Sequence, residues 1–276
     1  PDRAVTRPRR LWPDGDVWWK AWLRRLTTET RVEVQEQSRT DRPSEIYRLH
    51  LNRFRRPGQT IDGSLRLEQR LEVFRTRRDY GLDASWRQVR GLAERAAGAE
   101  RQFLNRWTVE GQVRPASTWG LRVAGTAERD RVQSEAFDEA RSFDIRTLRV
   151  RPSVSYQPGR TLDLTLSGVY AQKRDRAKGR QADLLKFPVE LTWRRAGRLR
   201  LTANAELAQV DLSGAAIGLA QFELTDGRGP GTSFLWGLQG RYALTDNLRA
   251  TLNYDGRAPS TTDPIHTVRV QVNASF

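Results

Sequence analysis

The chain ends on Val268-Arg269-Val270-Gln271-Val272-Asn273-Ala274-Ser275-Phe276. Side chains on a β-strand point alternately to its two faces, so Val268, Val270, Val272, Ala274 and Phe276 share an apolar face. Arg269, Gln271, Asn273 and Ser275 share a wet one. The pattern repeats just upstream, where Leu248, Ala250, Leu252 and Tyr254 oppose Asn247, Arg249, Thr251, Asn253 and Asp255. Phe234, Trp236, Leu238, Gly240 and Tyr242 form a third such segment. A tight Ala-Leu-Thr-Asp turn separates Tyr242 from Asn247, whereas Gly256 to Pro264 is a longer polar loop. Alternating segments of roughly ten residues, joined by short turns at one end and longer loops at the other, predict an all-β, antiparallel up-and-down barrel that crosses a membrane.

This last strand, closing on an aromatic residue, resembles the C-terminal signal of bacterial outer-membrane β-barrel proteins. The resemblance implies that Phe276 is the assembly signal read by the barrel assembly machinery. It also implies that the last strand closes against the first and that the C-terminus is periplasmic in an integral protein of the bacterial outer membrane. It extends to an architecture and brings no activity with it.

Composition is compatible with that expectation. The 276 residues are 29% charged, the mean hydropathy is -0.71, and no run approaches the roughly 18 apolar residues of a membrane helix. A barrel strand escapes that test because half of its side chains face water. The absence of cysteine fits an oxidising exterior compartment. The chain opens on Pro1-Asp2-Arg3 and has no methionine, so it reads as a mature product or as part of a longer chain. The net charge of +15 is distributed over alternate strand positions and loops. It is not gathered in a tail or on a helix, which argues against nucleic acid as a partner.

Residues 1–20 are basic, with Trp18 and Trp19 at their end, and read as a Trp-rich loop, plug or interfacial segment. Residues 21–276 read as the barrel. Alternation begins at Leu26, returns over Tyr47 to Leu51, and is clearest from Ile61 to Val73, where the period of two excludes an amphipathic helix. Gly91 to Glu100 reads as a loop with a helical turn, Glu128 to Ser142 and Lys173 to Ala182 as charged loops, and Asp211 to Gly231 as a long hairpin extension beyond the membrane. Counting back from Phe276, the turns at Leu244, Arg195, Gln157 and Pro115 fall on the periplasmic side. The loops at Gly256, Lys173, Glu128 and Gly91 fall outside. The tally is about 12–14 strands, and a count of about 13 would leave the N-terminus outside. Even numbers are the rule for single-chain bacterial barrels, so either one strand escapes the pattern or residues upstream of Pro1 complete a larger barrel, and the second is expected.

Two aromatic rings are expected on the lipid face. Trp119, Tyr156, Trp193, Tyr242 and Phe276 lie by the periplasmic connections, and Tyr170, Phe187, Phe234, Trp236 and Tyr254 toward the other ends. The opposite face carries the available chemistry. Arg66, Glu68, Arg70, Glu72, Arg106, Glu110, Arg114, Arg149, Arg151, Arg198, Arg200, Arg241, Arg249 and Arg269 would line the lumen. Two functions follow. One is a pore or passive transport channel whose Arg-rich lumen favours anions. The alternative is a plugged structural or docking subunit of an envelope or secretion complex, in which arginines and carboxylates neutralise one another.

Outer-membrane lipid and lipopolysaccharide are the expected surroundings, with loop arginines such as Arg174, Arg176 and Arg180 positioned for phosphates. Enzymatic chemistry is not expected, because only His50 and His266 are present, and His266 shares the lipid-facing parity of Val268. No ligand pattern for a metal or cofactor appears.

Overall fold

The computed structural model describes residues 26–38, 60–73, 79–95, 98–135, 141–195, 198–214, 218–245, 247–260 and 262–274. Within them the period-two pattern becomes a single antiparallel sheet. Its strands are β1 (Leu26–Ser38), β2 (Thr60–Val73), β3 (Tyr80–Arg95), β4 (Gly98–Ala116), β5 (Trp119–Ser134), β6 (Phe143–Tyr156), β7 (Leu162–Ser167), β8 (Val169–Asp175), β9 (Arg180–Arg195), β10 (Leu199–Ser213), β11 (Gly231–Ala243), β12 (Leu248–Pro259) and β13 (Ile265–Ala274). A helix, α1 (Gly218–Thr225), lies between β10 and β11. Apart from β7 and β8, which both lie between β6 and β9, each strand pairs with the next in an up-and-down meander from β1 to β13. This is the fold of a transmembrane antiparallel β-barrel. Among the described residues the ladder path ends on β1 at one side and β13 at the other. No helix among those residues is long and apolar enough to cross a membrane.

β7 and β8 are two halves of one crossing. Both pair with β6 and with β9, and the register runs unbroken from Ser153↔Ser167 to Val150↔Tyr170. The ladder lapses at Gly168 because Pro152 faces it. The Gly168 amide donates to the Pro152 carbonyl at 3.0 Å, but proline has no N–H to return. Among the described residues the thirteen segments therefore make twelve crossings. β1 begins at the same end of the sheet as β13 finishes, and the sequence tally of about 13 agrees with the thirteen strand segments. The tally included a strand at Tyr47 to Leu51, which lies outside the described residues, as do residues 1–20 and Phe276.

The connections alternate as the parity predicts. Those around Leu244, Arg195, Gln157 and residues 117–118 share the end where β13 finishes, here the near end. Those between β12 and β13, β10 and β11, β8 and β9, β5 and β6, and β3 and β4 share the far end. Several expected far-end loops are strand instead. β3 and β4 run through Gly91 to Glu100 with only residues 96–97 between them, β5 reaches Ser134, and β8 and β9 leave only residues 176–179 as a turn.

The reason is visible in the side chains, because the polarity of the two faces inverts toward the far end. Along β6, Leu148 and Val150 point outward at 62% and 48% exposure while Arg149 points inward. Three residues earlier Phe143 and Ile145 point inward, both 3% exposed, and Asp144 and Arg146 point outward. The same inversion occurs on β9, between outward Leu185 and Phe187 and inward Ala182 and Leu184, and on β10, between outward Leu207 and inward Ala208 and Val210. Near the near end the sheet is apolar outside and polar inside, as lipid contact requires. Beyond the inversion it is polar outside with an apolar interior, as contact with water requires.

The inverted interior is filled by α1. Ala220 and Leu224, both 0% exposed, pack with Val132, Phe143, Ile145, Ala171, Ala182, Leu184 and Val210 in one core cluster. Each large aliphatic side chain buried there contributes roughly 1.5–3 kcal/mol. Asp211 to Gly231, expected as a hairpin extension, instead continues β10 to Ser213 and carries α1. It folds back into the mouth of the sheet, because an apolar interior needs an apolar filling.

Candidate functional site

The inward face below α1 divides into two electrostatic zones. On β1 to β5 the charges pair across strands. Arg66 sits 3.6 Å from Glu33, Arg70 reaches Asp83 at 2.8 Å and Glu72 at 3.1 Å, and Arg87 reaches Glu68 at 3.3 Å. Arg106 pairs with Glu128, and Arg122 with Glu110 at 3.1 Å. Cross-strand register explains these pairs: Glu68, Arg87, Arg106 and Glu128 stand opposite one another on β2, β3, β4 and β5. Two arginines facing each other repel, and the acids at both ends of the row offset that repulsion.

On β9 to β11 the row is different. Arg194, Arg200 and Arg241 stand directly opposite one another on three adjacent strands, followed on β12 by Thr251. All three are exposed, and among the described residues none has a carboxylate within ion-pair distance. Neighbouring strands are roughly 4.8 Å apart, so three guanidinium groups share about 10 Å of wall near the near end. Arg114, Arg151, Arg249 and Arg269 also lack a carboxylate partner among the described residues. Arg249 faces Asn273 and Arg269 faces Asn253. Arg198 sits in the turn before β10. Arg194 escaped the sequence reading because Arg194-Arg195 adjoins a turn. The register with Arg200 is what assigns it to the row.

Above this zone an ionic latch holds the α1 loop to the wall of the sheet. Helix α1 ends at Thr225, the following Asp226 holds a left-handed backbone at φ 52, and the Gly227 amide donates to the Phe222 carbonyl at 2.8 Å. That position after a helix is ordinarily glycine, and aspartate tolerates it at modest cost. Its carboxylate accepts from Lys173 on β8 at 2.5 Å, Lys186 on β9 at 2.5 Å and Arg149 on β6 at 3.3 Å. The Lys173 ammonium also donates to the Glu223 carbonyl. Two residues on, Arg228 pairs with Glu206 of β10 at 2.6 Å. Burial pushes the Asp226 carboxyl up, but the Lys173 and Lys186 ammonium groups outweigh it and hold it down at about 2. Burial pushes the Glu223 carboxyl up, and Lys173 opposes the shift. Arg149, expected as a lumen residue, is thus engaged with the helix. Lys173, Lys186 and Asp226 had no signature in sequence, since only the folded loop brings them together.

The outward face carries the aromatics. Trp119 and Tyr156 stand opposite each other near the near end with ring centroids 4.6 Å apart, and Trp193 and Tyr242 flank Leu201 and Leu199 on the same side. Toward the far end, Phe234 stacks on Trp236 at 5.2 Å, and Trp236 meets His266 at 5.4 Å. The Tyr254 hydroxyl lies 2.9 Å from His266 Nδ1. Tyr170 and Phe187 lie at a similar height, with Trp86 and Trp107 5.9 Å apart on β3 and β4. His266 is thus a member of an aromatic cluster on the outer surface. Among the described residues no group of histidine and carboxylate side chains is arranged to hold a metal ion.

No protein-family model matches the chain, and no curated protein matches it in sequence. Solved structures that resemble it are bacterial outer-membrane barrels. The NanC porin aligns over 78% of this chain and 98% of its own at 12% identity, with a TM-score of 0.36. OmpT of Vibrio cholerae aligns over 84% and 87% at 10% identity, with a TM-score of 0.43. The translocator domain of the autotransporter NalP from Neisseria meningitidis aligns over 91% and 87% at 13% identity, with a TM-score of 0.35.

Proposed function

We propose that the chain is a passive outer-membrane channel that favours anions, with α1 as the constriction at its extracellular mouth and a periplasmic C-terminus. The observation that carries this reading is the row Arg194, Arg200 and Arg241. Like charges directly opposite on adjacent strands are destabilising in a structural ladder. A barrel that needed only a neutral filling would pair them, as β1 to β5 do. An unpaired basic wall in a narrow, low-dielectric passage raises the local concentration of anions.

The test is ion selectivity in planar bilayers under a salt gradient. Anion preference that falls on changing Arg194, Arg200 and Arg241 to glutamine supports the channel. Selectivity unchanged by that triple substitution counts against it.

A second reading rests on the latch. If α1 seals the mouth, the barrel is a plugged structural or docking subunit of an envelope complex, and a folded, inserted protein conducts nothing. In either case the surroundings are outer-membrane lipid and lipopolysaccharide, assembly proceeds through the barrel assembly machinery, and no catalytic role is assigned.

A further inference from the structure

The level at which the polarity inverts is marked on the outside by a second arginine row. Arg129 of β5, Arg146 of β6 and Arg174 of β8 stand directly opposite one another, with Asn105 of β4 beyond Arg129. One step toward the near end, the row across the same strands is Trp107, Ala127, Leu148 and Gln172. The next is Val109, Gly125, Val150 and Tyr170. The outer surface thus passes within two rows from guanidinium groups to the exposed apolar band. Trp119, in the near-end ring, and Arg129 lie about ten residues apart on β5, close to the 9–11 residues that a tilted strand needs to span a bilayer.

This surface is concave and only partly neutralised. A cavity of about 610 Å³ is lined by Trp107, Leu148, Gln172, Arg146, Arg174 and Arg176, among others. Asp144 engages Arg129 through both oxygens, at 2.8 and 2.6 Å, and so occupies one guanidinium. Arg146, Arg174 and Arg176 are exposed and have no carboxylate partner among the described residues. Guanidinium groups in a fixed array suit phosphate, which they bind through paired N–H donors. A free phosphate would have no use for the apolar floor below them, whereas a lipid would use both.

We infer that the outward concavity on β4 to β8 is a binding site for a phosphorylated lipid. Its headgroup phosphates lie on Arg146, Arg174 and Arg176, and its acyl chains run down over Leu148, Val150 and Val109. The inference rests on the outer-membrane reading above, and it places the lipid in the leaflet at the α1 end.

The test uses the full chain in detergent micelles and native mass spectrometry. The probes are a diphosphorylated, multiply acylated glucosamine lipid, its dephosphorylated form and inorganic phosphate. Insertion into vesicles is scored separately, so a protein that fails to insert overturns the outer-membrane reading and this inference with it. For an inserting protein, the diphosphorylated lipid is expected to bind, and R146Q/R174Q to weaken it about tenfold or more. D144N, which releases Arg129, is expected to tighten binding, and this arm stands if the double variant fails to fold. T202A, on the inner face and outside the arginine row, should leave lipid binding unchanged. Equal binding of the dephosphorylated lipid, equal affinity for inorganic phosphate, or indifference to both R146Q/R174Q and D144N would overturn the site.

Discussion

The Asp226 carboxylate accepts from the Lys173 ammonium at 2.5 Å across a sequence separation of 53 residues, and this contact joins the tip of a loop to the wall of the sheet. α1 is eight residues long, too short to persist in water on its own. Its apolar contacts and this ionic cluster hold it. Asp226→Asn keeps a residue that tolerates the left-handed backbone but removes the charge facing two lysines and an arginine. Local closure of the loop should weaken by about 2–3 kcal/mol, below the 3–5 kcal/mol of a fully buried pair because Asp226 keeps some exposure. Single-channel conductance should rise, and residues 214–230 should become sensitive to protease. Unchanged conductance with increased protease cleavage would show that α1 can leave without widening the passage.

The same carboxylate sets a pH dependence. Its pKa is depressed to about 2 in the folded protein, so the stabilisation is fully present above the ordinary carboxylate value and is lost as pH falls toward about 2. Between pH 7 and pH 5 the latch should therefore hold, and conductance traces recorded over that range should coincide. Opening that begins near pH 6 would mean that another group governs the loop.

The sequence makes the lower part of this protein legible and hides the upper part, for one physical reason. Where lipid lies outside and water inside, Leu162, Leu164 and Leu166 alternate with Asp163, Thr165 and Ser167, and a period of two is plain. Beyond the inversion the outer positions turn charged and the inner ones apolar. A segment such as Arg129 to Ser134 then reads as irregular although it is continuous strand. That aromatics belong at strand ends could be argued from the sequence, because amphipathic rings favour the headgroup level. The latch could not, since Lys173, Lys186 and Asp226 meet only when the loop after β10 folds inward. The two arginine rows needed the register, which fixes which residues face one another and which is not written in any single strand.

Leu164 and Thr202 test the assignment of faces. Leu164 pairs with Leu191 and Tyr156 on the outward side, whereas Thr202 stands between Thr192 and Gln239 on the inward side. Leu164→Arg places a cation in the lipid band and should cost roughly 2–4 kcal/mol. It should appear as reduced heat-modifiable, folded protein on gels after refolding into vesicles. Thr202→Arg puts the same cation into the wet interior and should assemble at nearly the wild-type yield. Val270→Arg, on β13, should behave like Leu164→Arg. Equal yields for the outward and inward variants would refute the alternation.

Gly256 and Trp236 make the sharpest packing test. They are directly paired across β11 and β12, and His266 of β13 is the next partner of Gly256. The indole lies across the bare backbone of Gly256 to reach His266, and a Cβ at Gly256 would come within 2.1 Å of it. Covering a strand glycine with a neighbouring aromatic compensates for its missing side chain. Gly256→Ala must displace the indole and should destabilise the protein by about 1–3 kcal/mol in denaturant titrations of the refolded barrel. In a Trp236→Ala background the obstacle is gone. The same substitution should then be neutral or stabilise by up to about 1 kcal/mol, because a strand interior disfavours glycine. The two effects should therefore be strongly non-additive, as expected for residues in contact. Additive effects would mean that the indole does not rest on Gly256 and that the far-end aromatic cluster is arranged differently.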